Sequence, residues 1–198
     1  MKGLNRIFIF IFLLWAAGHF TTAEDGMWMP HQMKDLDLKA LGLQMDPGDL
    51  FKEDGTGLMS AIVSLGGGTG EFVSREGLIL TNHHVAFGAL QRASTKENDY
   101  ITHGFLASER GEEIPAAGNY ADVLLGYEDV TSKVTAALKA DQTPIEKYYS
   151  LDAVRKKIVA AAEKAGPDIR ASVAAMYSGN AYYLFRFKRL KDIRIVYA

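Results

Sequence analysis

The chain has 198 residues, 48% of them hydrophobic and 23% charged, a globular composition with enough material for one domain with a core. The formal net charge is −2 and no basic patch stands out, which argues against a nucleic-acid partner. Cysteine is absent, which excludes disulfides and thiolate sites but leaves the compartment open.

Residues 1–23 read as a secretory signal peptide. Lys2 and Arg6 supply the positive start, and Ile7 to Ala17 form an apolar core short for a bilayer span. Thr21-Thr22-Ala23 offers small residues for cleavage before Glu24. Removing Lys2 and Arg6 from 22 basic residues leaves 20 against 24 acidic ones, net −4. This predicts an exported protein with no stable membrane anchor once the signal is gone. The run Met27-Trp28-Met29 is apolar enough to dock on a core. Leu36, Leu38, Leu41 and Leu43, with charges between them, predict a short helix over Met33 to Leu43 that Pro47-Gly48 follows.

Ser60 to Leu65 predicts a first strand leading into the glycines 66–68. A Gly-rich turn invites a phosphate-loop reading, but no Lys stands where Gly-x-x-x-x-Gly-Lys-Ser/Thr needs one. Phe72-Val73 and Leu78-Ile79-Leu80 flank the turn Ser74-Arg75-Glu76-Gly77, a hairpin pattern with Gly where positive φ is required. The second strand gives out at Thr81-Asn82-His83-His84. A His at a strand end is held by the sheet while its ring faces a cleft, the placement a general base requires. The competing reading is an ordinary surface or core His. Neighbouring histidines on extended chain point to opposite faces and make poor metal ligands, and no His-Glu-x-x-His helix accompanies them, so no metal and no cofactor are expected.

Ala86 to Ala93 predicts one or two helical turns, and Ser94 to Thr102 a polar loop. Glu112 and Glu113 are neighbours, whose side chains usually point apart, so a solvated loop is expected there rather than acid–base chemistry. Asp122 to Tyr127 predicts a strand, and Thr131 an N-cap for a helix over about 132–140. Pro144 opens a second helix, in which Val154, Ile158 and Ala162 fall at helical spacing before Gly166-Pro167 ends it. Tyr182 to Phe187 reads as a strand, Leu190-Lys191-Asp192 as a turn and Ile193 to Tyr197 as the partner strand. The aromatics there are expected to fill a barrel rather than to bind a ligand.

The run Gly-Thr-Gly-Glu-Phe-Val-Ser-x-x-Gly-Leu-Ile-Leu-Thr-Asn-His-His, over residues 68–84, resembles the signature of a bacterial serine dipeptidyl-peptidase family. That family includes dipeptidyl aminopeptidase BII and dipeptidyl-peptidases seven and eleven. Gly26-Met27-Trp28, the Gly104-Phe105 segment, Glu128-Asp129-Val130-Thr131 and Asp192-Ile193-Arg194-Ile195-Val196 are similar to the family as well. The resemblance implies a mainly β fold with helices: a chymotrypsin-like double β-barrel, of which this chain holds the first, His-bearing barrel portion plus a helical segment at about 131–165. It assigns the catalytic base to His84, and implies peptide substrates with a free N-terminus, a periplasmic location and, for the full-length form, a homodimer. Where many members have Cys after the second His this chain has Val85, a difference expected to alter packing more than chemistry.

A serine peptidase also needs a nucleophile and a carboxylate that orients the base. In the family these come from regions downstream of the segment that this chain resembles. Here no Gly-x-Ser-x-Gly or Gly-Asp-Ser-Gly occurs, Ser178 reads as a turn residue, and Ser64 and Ser74 match no nucleophile position. Residues 24–198 are therefore expected to be the N-terminal part of a peptidase domain, inactive by itself. Two rivals stand beside this reading. One is a chymotrypsin-like serine endopeptidase fragment. The other is a non-enzymatic exported binding protein on a half-barrel, which would leave an apolar face open to partners.

Overall fold

The computed structural model describes residues 28–52 and 56–198. The expected signal peptide and the start of the mature chain, through Met27, lie outside the described residues. The chain divides into two compact units, 1–36 and 37–198. In the first, a 3-10 helix spans Pro30–Asp35, with the Met29 amide donating to Gln32 Oε1 at 2.7 Å. The helix expected over Met33 to Leu43 does not form. Leu36 is extended (φ −97°, ψ 139°), and in the second unit Asp37 Oδ1 takes the Ala40 amide in a local turn that competes with helix.

The second unit is built on a six-stranded antiparallel sheet. Its strands are β1 (Ile62–Ser64), β2 (Thr69–Phe72), β3 (Ile79–Thr81), β5 (Ala121–Asp129), β6 (Ile169–Met176) and β7 (Ala181–Leu190), in the order β3-β2-β1-β5-β7-β6. The sheet is open, with β3 and β6 at its edges, and represents a partial barrel. A second, two-stranded sheet joins β4 (Ile114–Pro115) to β8 (Arg194–Ile195). The predicted hairpin is present as β2–β3, in the register Phe72↔Ile79, Glu71↔Leu80 and Gly70↔Thr81. Gly126, at φ +155°, marks a register shift in β5 against β7.

The end of the chain differs from the expected hairpin. Ile193 to Tyr197 does not pair with β7, because both edges of β7 are taken by β5 and β6. A tight turn at Tyr177–Gly179, with Ser178 at φ +58° and Gly179 at φ +88°, folds β6 directly onto β7. The final residues turn instead to β4 and to Phe105, whose N–H and C=O both bond Ala198 at 2.9 Å.

Among the described residues of the unit there are four α-helices besides short 3-10 turns: α1 (His83–Ala93), α2 (Tyr100–His103), α3 (Thr131–Thr135) and α4 (Pro144–Glu163). α4 starts where Pro144 predicts, with Thr143 as N-cap and a reciprocal capping box to Glu146. α3 is shorter than the expected helix, ending at Thr135, and Val130, not Thr131, is its N-cap. The Thr131 hydroxyl is engaged elsewhere, accepting the Tyr182 amide of β7 at 2.8 Å.

Two apolar clusters hold these elements. Val130, Val134, Val173, Tyr182 and Leu184 pack under Leu151, Val154, Ile158 and Ala162, which fixes α4 to one sheet face. The opposite face of β5 and β7 is aromatic, with Tyr127 5.8 Å from Phe185 and 6.3 Å from Tyr183, centroid to centroid. The smaller cluster, Ala89, Leu90, Ala116 and Ile195 with Tyr100 and Phe105, anchors α1 to the two-stranded sheet. Among the described residues no helix is long and apolar enough to cross a membrane.

Candidate active site

His84 stands on the first turn of α1, just beyond the end of β3 at Thr81. The strand is fastened at that last residue, where the Thr81 hydroxyl donates to the Thr69 carbonyl at 2.7 Å. Asn82 is still extended (φ −75°, ψ 148°), and its carbonyl accepts the Val85 amide at 3.0 Å, closing the first turn. The expected extended His-His pair is therefore corrected: both histidines are helical, and α1 has 11 residues rather than one or two turns. Side chains one residue apart on a helix diverge by about 100°. Both histidines are exposed; His83 follows the i,i+4 direction to Phe87, ring centroids 5.3 Å apart, whereas His84 makes no ring contact with a described residue. No described residue hydrogen-bonds or ion-pairs with the His84 ring, and no described carboxylate orients it.

The backbone under this exposed ring is tightly held. The turn between β1 and β2 closes with the Leu65 amide donating to the Gly68 carbonyl at 2.8 Å. It packs so closely on α1 that a methyl group on Gly68 would overlap Val85 Cγ2, next to His84. At the other end of the turn Gly66, at φ +80°, lies against the phenol end of Tyr120, whose Cζ and Oη both stand 3.1 Å from where a β-carbon would be. The far end of α1 is fixed by Arg92, whose Nη2 donates to the Ala117 carbonyl at 3.0 Å and to Asn119 Oδ1 at 2.9 Å. Leu90, 3% exposed, and Ala89 bury the same end.

The remaining singled-out residues occupy structural positions. Ser74 Oγ accepts the amides of Glu76 and Leu78 at 3.2 and 3.1 Å, shaping the hairpin turn. Ser64 lies in β1, opposite Thr69 and Asp122. Ser178 sits in the β6–β7 turn. Glu112 Oε2 accepts the Ser108 amide in an exposed loop, and no described residue links either Glu112 or Glu113 to His84. Among the described residues no group of three His, Asp or Glu side chains could hold a metal ion.

Sequence reasoning misses Tyr120, Asp122 and Arg189. Arg189 Nε and Nη2 donate to Asp122 Oδ1 and Oδ2 at 2.8 and 2.7 Å, and its Cζ lies 3.7 Å from the Tyr120 ring centroid. The Asp122 hydrogen bond holds the guanidinium pKa above its ordinary value. The one sequence signal is the glycine run, which marks a close backbone approach without naming what approaches.

Similarity to known proteins gives the family. The Peptidase S46 family profile matches residues 23–198, and the chain belongs to that family. Dipeptidyl-peptidase 7 of Porphyromonas endodontalis is 35% identical over 199 residues, covering 98% of this chain and 24% of that protein. The Asp/Glu-specific dipeptidyl-peptidase of Porphyromonas gingivalis is 34% identical over 202 residues, covering 97% and 28%. The crystal structure of Porphyromonas endodontalis DPP11 in complex with the dipeptide Arg-Asp matches with a TM-score of 0.78 and 31% identity, over 89% of this chain and 26% of that one. The chain thus spans about a quarter of the length of the curated relatives it matches.

Proposed function

We propose that this chain is the N-terminal, His-bearing portion of an exported serine dipeptidyl-peptidase, which releases dipeptides from the free N-terminus of peptides. The observation that carries the reading is the seat of His84: an exposed imidazole on a backbone clamped between the β1–β2 turn and the Arg92–Asn119 contact. A general base needs this combination, a ring open to substrate on a support that does not move. The family membership and the dipeptide complex of the DPP11 relative support peptides as the substrate class.

In this reading the partial barrel is the first half of a chymotrypsin-like pair. His84 takes the proton of a serine hydroxyl as that oxygen attacks the scissile carbonyl, then gives it to the leaving amine. In the second half-reaction it takes a proton from water and returns it to the serine. The serine and the carboxylate that orients His84 come from outside these 198 residues, so the chain alone is inactive. The basic, apolar and small-residue pattern of residues 1–23 supports export to the periplasm.

The test is His84→Ala in the intact peptidase that carries this segment. Release of dipeptides from peptides with free N-termini should fall by on the order of 10⁴-fold or more, with the melting temperature unchanged. A variant that cleaves at the parental rate overturns the base assignment. Cleavage within N-terminally blocked peptides by the parent would favour an endopeptidase instead.

A further inference from the structure

We infer that Tyr120, held in place by the Asp122–Arg189 pair, is a positioning residue for His84, acting through the glycine turn. The inference rests on the general-base reading of His84 and adds the device that keeps this base in register with the sheet.

The chain of contacts is continuous and short. Asp122 and Arg189 face each other on the neighbouring strands β5 and β7, and their two-pronged bond fixes the guanidinium plane. The Arg189 and Asp122 side chains are only 24% and 12% exposed, so the pair is a better anchor than a solvated one. The guanidinium lies over the Tyr120 ring, and the phenol end of the ring lies against Gly66. Gly66 and Gly68 belong to one turn, and Gly68 touches Val85, the residue after His84. The residue before Tyr120 is Asn119, which receives Arg92 from the last turn of α1. One loop therefore grips the His helix at its far end and, through the glycine turn, at its catalytic end.

Tyr120 and Arg189 belong to neither apolar cluster, so core packing does not account for them. Gly66, at φ +80°, takes the phenol end of Tyr120 so closely that a β-carbon there would press it at 3.1 Å. The loop's own hydrogen bonds, from the Asn119 amide to the Ala116 carbonyl at 2.9 Å and from the Ala116 amide to the Ile193 carbonyl at 2.8 Å, stop short of Tyr120, whose rigidity comes from outside the loop. The stacked Tyr120–Arg189–Asp122 column supplies it from the middle of the sheet.

The experiment compares Tyr120→Leu, which removes the flat ring, with Tyr120→Phe, which keeps it. In the 198-residue chain, Tyr120→Leu should speed hydrogen exchange of the Val85 amide about tenfold relative to the β6–β7 amides and shift the His84 ring resonances; Tyr120→Phe should do neither. In the intact peptidase, Tyr120→Leu should lower kcat about tenfold or more with KM within about twofold, the signature of a displaced base, and Tyr120→Phe should restore it. If Tyr120→Leu does not fold, Arg189→Lys replaces it, because an ammonium loses both the fork on Asp122 and the flat stack on the ring. Uniform acceleration of exchange across the sheet, an unchanged kcat, or a Phe variant as damaged as the Leu variant overturns the inference. His84→Ala separates the two claims: full activity in that variant sinks the general-base reading, while the exchange and resonance data still decide the brace.

Discussion

Three adjacent glycines, each replaced by alanine, should give three different stabilities, and the differences follow from what surrounds each α-carbon. Gly67 has nothing within 4 Å of the position a methyl would take and no positive φ, so Gly67→Ala should lie within about 0.5 kcal/mol of the parent or gain slightly. Gly66 is at φ +80°, where an L-residue costs about 1–2 kcal/mol, and its methyl would press the Tyr120 ring. At Gly68 the backbone tolerates alanine, but the methyl would overlap Val85 Cγ2. A β-branched side chain in a helix has one strongly preferred χ1, so Val85 has little freedom to turn away. With α1 fixed at Arg92, the overlap becomes overpacking, worth about 1–3 kcal/mol. The origin of that cost is tested by a second substitution. In a Val85→Ala background the methyl has room, and the penalty of Gly68→Ala should nearly vanish, a coupling of about 1–2 kcal/mol. Urea denaturation of the chain, followed by far-UV circular dichroism, gives each midpoint at constant slope. If Gly68→Ala costs the same in both backgrounds, or if Gly67→Ala is equally damaging, the contact with Val85 is not what the glycine is for.

Other perturbations test the rest of the structure. Thr131→Val keeps the shape but strands the Tyr182 amide, bonded at 2.8 Å, and should cost about 1–3 kcal/mol in the same denaturation assay. His84→Ala should leave the urea midpoint of the chain unchanged, since the ring is exposed and bonded to no described residue; a clear loss would make His84 a structural residue. Glu128, Asp168 and Asp192 have carboxyl pKa values lowered from 4.5, 3.8 and 3.8, mainly by hydrogen bonds from Lys133, Lys191 and Arg194. A carboxylate whose folded pKa is depressed stabilises above its unfolded value and loses that contribution as pH falls through the folded one. The melting temperature should therefore drop between about pH 5 and pH 3, less so in about 1 M salt, which screens exposed pairs. A flat profile would show that these pairs contribute nothing.

The local parts of this fold were legible because they are written in local chemistry. The β2–β3 hairpin follows from apolar pairs around Ser74-Arg75-Glu76-Gly77, and the start of α4 follows from Thr143-Pro144 with Glu146 three residues on. The errors arise where distant partners compete. Thr131 has the chemistry of a cap, but the Tyr182 amide claims its hydroxyl across 51 positions of sequence. Ile193 to Tyr197 has the composition of a strand beside β7, but β5 and β6 fill both edges first. β6 itself, with Ala171, Ala174 and Ala175, offers little alternation to read, and it forms because the Tyr177–Gly179 turn presents it to β7. His84 stands out in the sequence through its motif. Its helical state and the Tyr120–Arg189 column do not, since no periodicity links residues 66, 120 and 189.

The placement of His84 on α1 rather than on β3 has a mechanical consequence. β3 is a three-residue edge strand with one neighbour, so a base borne on it would be held from one side. Beyond Asn82 the chain has entered a helix whose opposite end is buried by Ala89 and Leu90 and bonded by Arg92. A helix is stiff along its axis, so anchoring the far end orients the near one, and the glycine turn at Val85 removes the remaining tilt. Exposure of the ring and rigidity of its support, which oppose each other on an edge strand, are thereby reconciled. The close contact of the turn with Val85 is the reason the stretch leading to His84 carries so little side chain.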